Sequence, residues 1–133
     1  HYVIASMLAQ EGIELVRNVR DRNWLKSSVD WLGDNSVANT ELTDNNGFSI
    51  DWTGDIYYAV NGLNHPMAKL YYDAENFYTH KSTGNTESPY RRVIKVEVDA
   101  VDESFIDVTV TVQWVERGII KQYVIFSKLY DWR

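Results

Sequence analysis

Between Phe105 and Glu116 the chain alternates over a full strand length, with Ile106, Val108, Val110, Val112 and Trp114 on one side and Asp107, Thr109, Thr111 and Gln113 on the other. Successive strand residues point to opposite faces, so this pattern requires a sheet buried on one face and wet on the other. Antiparallel sheets tolerate that arrangement, whereas parallel sheets are covered on both faces. Trp114 falls in register with the valines and is expected in the core. Arg92 to Val98 repeats the period, with Ile94, Val96 and Val98 opposed to Lys95, Glu97 and Asp99. Arg117-Gly118 turns the chain into Ile119 to Lys128, which is apolar on both faces and expected to lie centrally or against a helix. Ala68 to Tyr72 and Phe77 to Lys81 flank Asp73-Ala74-Glu75-Asn76 and read as a hairpin. Ile56 to Val60 reads as a short strand and Ser82 to Pro89 as a polar loop.

The first 32 residues follow a different period. They contain no Pro and one Gly, and Ile4, Leu8, Ile13, Val16 and Val19 recur mostly three to five apart, as one stripe of an α-helix does. Glu14 and Arg17, then Arg17 and Asp21, are spaced to pair across successive turns. Gly12 inside this helix costs about 1 kcal/mol relative to Ala. Tyr2, Val3 and Ile4 are the most apolar stretch, with no capping residue before them, so the helix is expected to continue upstream and to become greasier there. Residues 33–55 are rich in Asn, Asp, Gly, Ser and Thr without a sustained period. They are expected to form one long ordered loop, with turns at Gly33-Asp34 and Asn45-Asn46-Gly47.

A helix followed only by strands is the α+β order. The expectation is one domain over 1–133: a long N-terminal α-helix (1–32), an αβ loop (33–55) and an antiparallel β-sheet (56–133), with the helix packed on one face of the sheet.

The composition narrows function. Cysteine is absent, which excludes disulfide scaffolds, Cys-ligated zinc, iron–sulfur clusters and thiol catalysis. Nineteen acidic against 13 basic residues give a net charge of −6, the wrong field for a nucleic-acid backbone. No run of 18 apolar residues occurs. His1, His65 and His80 are far apart and read as surface or loop histidines; G-x-S-x-G, G-x-G-x-x-G and P-loop motifs are missing. Glu11 and Glu14 share a helix face with Arg17 and Arg20 and read as a solvated charged surface. Nothing marks a catalytic pair, so no enzyme and no cofactor is expected. Asp44, Asn46, Asp51 and Asp55 carry oxygens of the kind calcium takes, but Asx turns with solvated carboxylates explain them as well, and no metal is assigned. Five Trp and nine Tyr could form a sugar-stacking strip, with Trp24, Trp31 and Trp52 the less determined positions.

The segment from Leu8 through Asp21, LAQEGIELVRNVRD, followed by Asn23-Trp24-Leu25, resembles the lower helix of type IV pilin-like proteins, minor pilins and type II secretion pseudopilins in particular. Phe77-Tyr78-Thr79-His80, Pro89-Tyr90-Arg91-Arg92-Val93-Ile94, Val110-Thr111-Val112-Gln113-Trp114 with Arg117-Gly118, and Leu129-Tyr130-Asp131-Trp132 extend the resemblance, in the same order, over nearly the whole chain. It implies a ladle-shaped, non-enzymatic subunit of an extracellular cell-surface filament. Other pilin or pseudopilin subunits would be its partners, and an apolar helix half upstream of His1 would anchor it in the membrane before assembly. The family's common disulfide has no counterpart here. The same resemblance places Ile4 and Leu8 against neighbouring subunits and lets Glu11, Arg17 and Arg20 set register between them, with the loops facing outward toward any glycan or host ligand. The alternative is a secreted carbohydrate-binding or adhesive module that uses exposed aromatics.

Overall fold

A computed structural model describes residues 2–25, 30–33, 38–42, 47–58, 60, 62–98 and 104–131. Helix α1 spans Tyr2–Leu25, about 36 Å at 1.5 Å per residue. Ala5, Leu8, Ala9, Gly12, Val16, Val19 and Asn23 recur three or four apart and are buried, with Ile13 and Leu15 widening the stripe. Small residues dominate its first half, so the helix axis can approach the sheet closely. Gly12 marks that approach: a Cβ there would lie 2.9 Å from Val110 Cγ1. The glycine that weakens the helix locally is therefore what lets α1 seat on the sheet.

The sheet has seven antiparallel strands: β1 (Phe48–Ile50), β2 (Ile56–Tyr58), β3 (Lys69–Tyr72), β4 (Tyr78–Thr79), β5 (Thr86–Val98), β6 (Phe105–Glu116) and β7 (Ile119–Tyr130). β5 organises it. One edge of β5 pairs with β6 from Tyr90 to Val98. The other pairs with β3 through Thr86, Glu87 and Arg91, and with β1 at Ile94. β2 extends β1, β4 extends β3, and β7 pairs with β6 along its whole length. α1 lies over β5, β6 and β7, with Tyr2 edge-on to Trp114 at one end and Trp24 Nε1 donating to Asp131 at 3.1 Å at the other. Ile106, Val108, Val110, Val112 and Trp114 are buried beneath it, each such side chain contributing about 1.5–3 kcal/mol of apolar burial.

The α+β class and the helix-on-antiparallel-sheet packing stand. Several boundaries do not. The helix is described over Tyr2–Leu25 and does not reach 32, because residues 30–33 form a turn closed by Gly33 N–H to the Asp30 carbonyl, 2.8 Å; the turn expected at Gly33-Asp34 thus sits earlier, and Asp34 lies outside the described residues. The segment 33–55 is not loop throughout, because Phe48–Ile50 forms a fully buried strand, too short to show a period. The polar stretch 82–89 joins β5 from Thr86 onward. It does so through a bulge, where register with β3 shifts between Lys69 and Tyr71, and Pro89 needs no ladder donor at such a place. Ile119 to Lys128 takes the second of its two expected places: its inner face lies against α1, but it is not central, since among the described residues β7 pairs only with β6 and its outer side chains are exposed. The outer sheet face is also not wet throughout, since Val60, Ala68 and Val93 form a second small cluster there with Tyr57, Leu63 and Met67.

Candidate functional site

The helix is locked to the sheet by a buried cation. Arg92 follows the inward parity of Ile94 and Val96 and is almost fully enclosed. Its guanidinium donates to the Leu8 carbonyl at 2.9 Å, to Glu11 Oε1 at 2.7 Å and to the Ile50 carbonyl at 3.2 Å. One side chain thus joins α1, β1 and β5. A charge out of water persists only when paired and hydrogen-bonded, and here a carboxylate and two carbonyls supply those contacts. Glu11 is therefore not simply part of a solvated charged face. Arg92 was legible as an inward residue from its parity with Ile94 to Val98, but nothing local named its partner 81 residues away.

Around that lock the sequence-derived interface residues take different places. Ile4 is half-buried against the core, and Leu8 is wholly inside it, so Leu8 offers a neighbour no surface in this chain. Arg17 holds Glu14 at 2.6 Å in the open. Arg20 is buried, pairs with Asp21 at 3.0 Å and stacks over the Trp24 ring at 4.5 Å. Asp21 thus serves Arg20 rather than the Arg17 that helical spacing suggested. The surface α1 does present is a second stripe: Tyr2, Val3, Met7, Gln10, Glu14, Asn18, Asp21 and Leu25. Its first two turns are apolar and the middle is polar. The apolar start was legible as Tyr2-Val3-Ile4, but Met7, which completes the patch, does not belong to the apolar period that identified the helix.

The loop candidates divide in the same way. Asp44 and Asn46 lie outside the described residues. Asp51 is fully buried and accepts from Thr79 Oγ1 (2.7 Å), His80 N–H (2.8 Å) and Thr53 Oγ1 (3.0 Å). Asp55 meets Lys81 at 3.1 Å, and hydrogen bonds from Lys81 and Thr53 hold its carboxyl below the usual range. Both act as ties between loops. Among the described residues no group of three or more His, Cys, Asp or Glu is placed to hold a metal. His80 is not a surface histidine: it is buried with Nδ1 3.1 Å from the Lys69 carbonyl, and burial, helped by Arg92, lowers its pKa to about 3. His65 caps the 3-10 turn Pro66–Ala68, its Nδ1 accepting from Met67 N–H.

The Trp24, Trp31 and Trp52 strip does not form. Trp31 is buried, Trp24 is half-buried under Arg20, and Trp52 alone is open, beside exposed Phe77 with ring centroids 5.5 Å apart. A depression of about 410 Å³ on the outer sheet face holds Glu97, Asp107 and Lys128 as adjacent exposed charges on open strands. It is not the enclosed cleft that two-carboxylate chemistry uses.

The chain matches no family model, no curated protein and no solved structure. Among the described residues no helix is long and apolar enough to cross a membrane. Three features stand out on the described surface: an apolar patch at the start of α1, an exposed aromatic pair, and an open outer sheet face.

Proposed function

We propose that this chain is the globular part of a type IV pilin-like filament subunit, of the minor pilin or pseudopilin kind, exported and displayed in a cell-surface filament. The observation that carries this reading is the outward stripe of α1. A helix seated on its own sheet should turn a polar face to water, yet Tyr2, Val3 and Met7 stand exposed together at its N-terminal end. Lateral packing against sister helices would bury that patch, while the sheet and loops stay outside. Glu14 and Asn18, farther along the same stripe, with Arg17 beside them and paired to Glu14, are the polar groups available to fix register between neighbours. On this reading Arg17 keeps the role the resemblance assigns it, whereas Glu11 and Arg20 serve the fold.

The test is assembly. The reading frame upstream of His1 is expected to encode a basic leader and an apolar helical segment. In the full-length protein, Val3→Asp with Met7→Asp should leave the thermal midpoint of the soluble chain nearly unchanged and abolish incorporation into filaments. Filaments that tolerate both changes, or a reading frame without the apolar segment, would remove the proposal.

A second reading, a carbohydrate-binding or adhesive module, draws support from the Trp52–Phe77 pair. A glycan array in which Trp52→Ala abolishes binding would favour it, and an array without hits would dismiss it.

A further inference from the structure

Among the described residues β7 presents a strand edge that stays unpaired over 12 residues. β7 runs 12 residues without proline, and its ladder to β6 is unbroken from Ile119 to Tyr130. Proteins usually blunt such an edge with a bulge, a proline, a short strand, a covering loop or charged side chains; among the described residues β7 has only the last, Lys121 on the helix side and Lys128 on the outer face. The direction of its backbone groups follows from the hairpin. Glu116 and Ile119 flank a two-residue turn whose central residues, Arg117 and Gly118, have φ of 53° and 77°, as a type I′ turn requires. Such flanking residues form a hydrogen-bonded pair, and pairs alternate from there. Odd-numbered residues of β7 therefore bond to β6. Ile120, Gln122, Val124, Phe126, Lys128 and Tyr130 turn their N–H and C=O groups to the open edge, and their side chains project from the outer face, Phe126 with 78% of its surface exposed.

We infer that this edge pairs antiparallel with β7 of a second copy, about a two-fold axis at Ile125. The side chains select the occupant and the register. With the axis at Ile125, Val124 stands opposite the partner's Phe126, Ile120 opposite the partner's Tyr130, and Gln122 opposite the partner's Lys128. Apolar meets apolar, polar meets polar, and no like charges face each other. Moving the axis to Val124 sets Ile120 against lysine and Phe126 against glutamine; moving it to Phe126 sets Val124 against lysine. On the helix side, the partner's Lys121 arrives opposite Leu129, near Arg17 and Arg20, whose charges are already met by Glu14 and Asp21. Each strand in the pair satisfies the other's open backbone groups and covers its exposed apolar row. The axis sets the two α1 helices antiparallel, so the pair is a form of the free chain and is independent of the filament reading, which needs helices pointing one way.

The chain has no cysteine, so single-cysteine variants report the contact cleanly. A non-hydrogen-bonded pair at the axis has Cα atoms about 4.5 Å apart, within disulfide range. Ile125→Cys in a glutathione redox buffer is expected to give a covalent dimer at least tenfold faster than Val124→Cys, whose own copy lies diagonally across. The unmodified chain should sediment at twice its 15.5 kDa mass at about hundred-micromolar concentration, and Val124→Lys with Phe126→Lys should return it to the monomer with its circular dichroism spectrum unchanged. A wild-type monomer at that concentration, or Val124→Cys cross-linking as fast as Ile125→Cys, overturns the inference.

Discussion

β5 and β7 are nearly equal in length and both are rich in β-branched and aromatic residues, yet they solve opposite problems. β5 sits between β6 on one side and β1 and β3 on the other, and it buries a charge, Arg92, and a hydroxyl, Ser88, whose Oγ donates to the Leu70 carbonyl at 2.6 Å. Among the described residues β7 pairs with one strand, and it exposes Ile119, Ile120, Val124, Phe126 and Tyr130. Polar groups lie inside where strands and helix converge to supply partners, and apolar groups lie outside where no element covers them. Composition alone would have assigned the two strands the other way round.

Four tests bear on that contrast. The largest effect should come from Arg92→Ala, which leaves Glu11 and two carbonyls without their donor. Glu11 is 36% exposed and stays partly solvated, so the loss comes chiefly from emptying the space of a fully buried long side chain beneath α1, about 2–5 kcal/mol, read as a lowered urea midpoint, whereas Phe126→Thr on the open face of β7 should shift the monomer's stability by less than about 0.5 kcal/mol. Equal losses from the two changes would erase the distinction. Next is Gly12→Ala. The helix would gain about 1 kcal/mol of propensity, but the new methyl meets Val110 Cγ1 at 2.9 Å, and overpacking costs about 1–3 kcal/mol. A net loss is expected, and it should be relieved in the double variant with Val110→Ala relative to Val110→Ala alone.

The third concerns pH. His80 binds its proton only near pH 3 in the folded chain, against an ordinary value of 6.5. Between those values the unfolded chain holds more protons, so stability is complete above the unfolded value and falls as pH drops, by at most ~1.4 kcal/mol per pH unit from this group. The lowered carboxyl of Asp55 acts in the same direction, but only around and below its ordinary 3.8. Denaturant titrations from pH 7 to 4.5 should therefore show a slope that His80→Gln removes; an unchanged slope would assign it elsewhere. The smallest effect is at the β6–β7 turn. Arg117 holds a positive φ that Asn tolerates better, so Arg117→Asn should stabilise the chain by a few tenths of a kcal/mol, seen as a rise in thermal midpoint.

Much of this architecture was readable because a long period leaves no alternative. The alternation of Phe105 to Glu116 and the stripe through Leu8, Val16 and Val19 dictated a strand and a helix whatever surrounded them. β1 was unreadable because three residues buried on every side have no alternation to display. The start of β5 was masked by Ser88 and Pro89, which occupy a bulge only because β3 arrives opposite. β7 was half legible: its apolar residues placed one face against α1, but whether the other face is covered depends on position in the sheet, which no local pattern records. For the functional surfaces, helical spacing identified the residues that bind α1 to its own sheet more readily than those left over for anything else. Leu8 and Arg20 belong to the first set, Val3 and Met7 to the second.

The tie at Asp51 reaches beyond its own neighbourhood. Its carboxylate accepts from Thr79 and His80, which couples the β1–β2 hairpin to the β3–β4 hairpin, two units of two to four residues per strand that are too small to persist alone. Their amide protons should therefore exchange with solvent in a single concerted opening, while those of β5 and β6 wait for the whole chain to unfold.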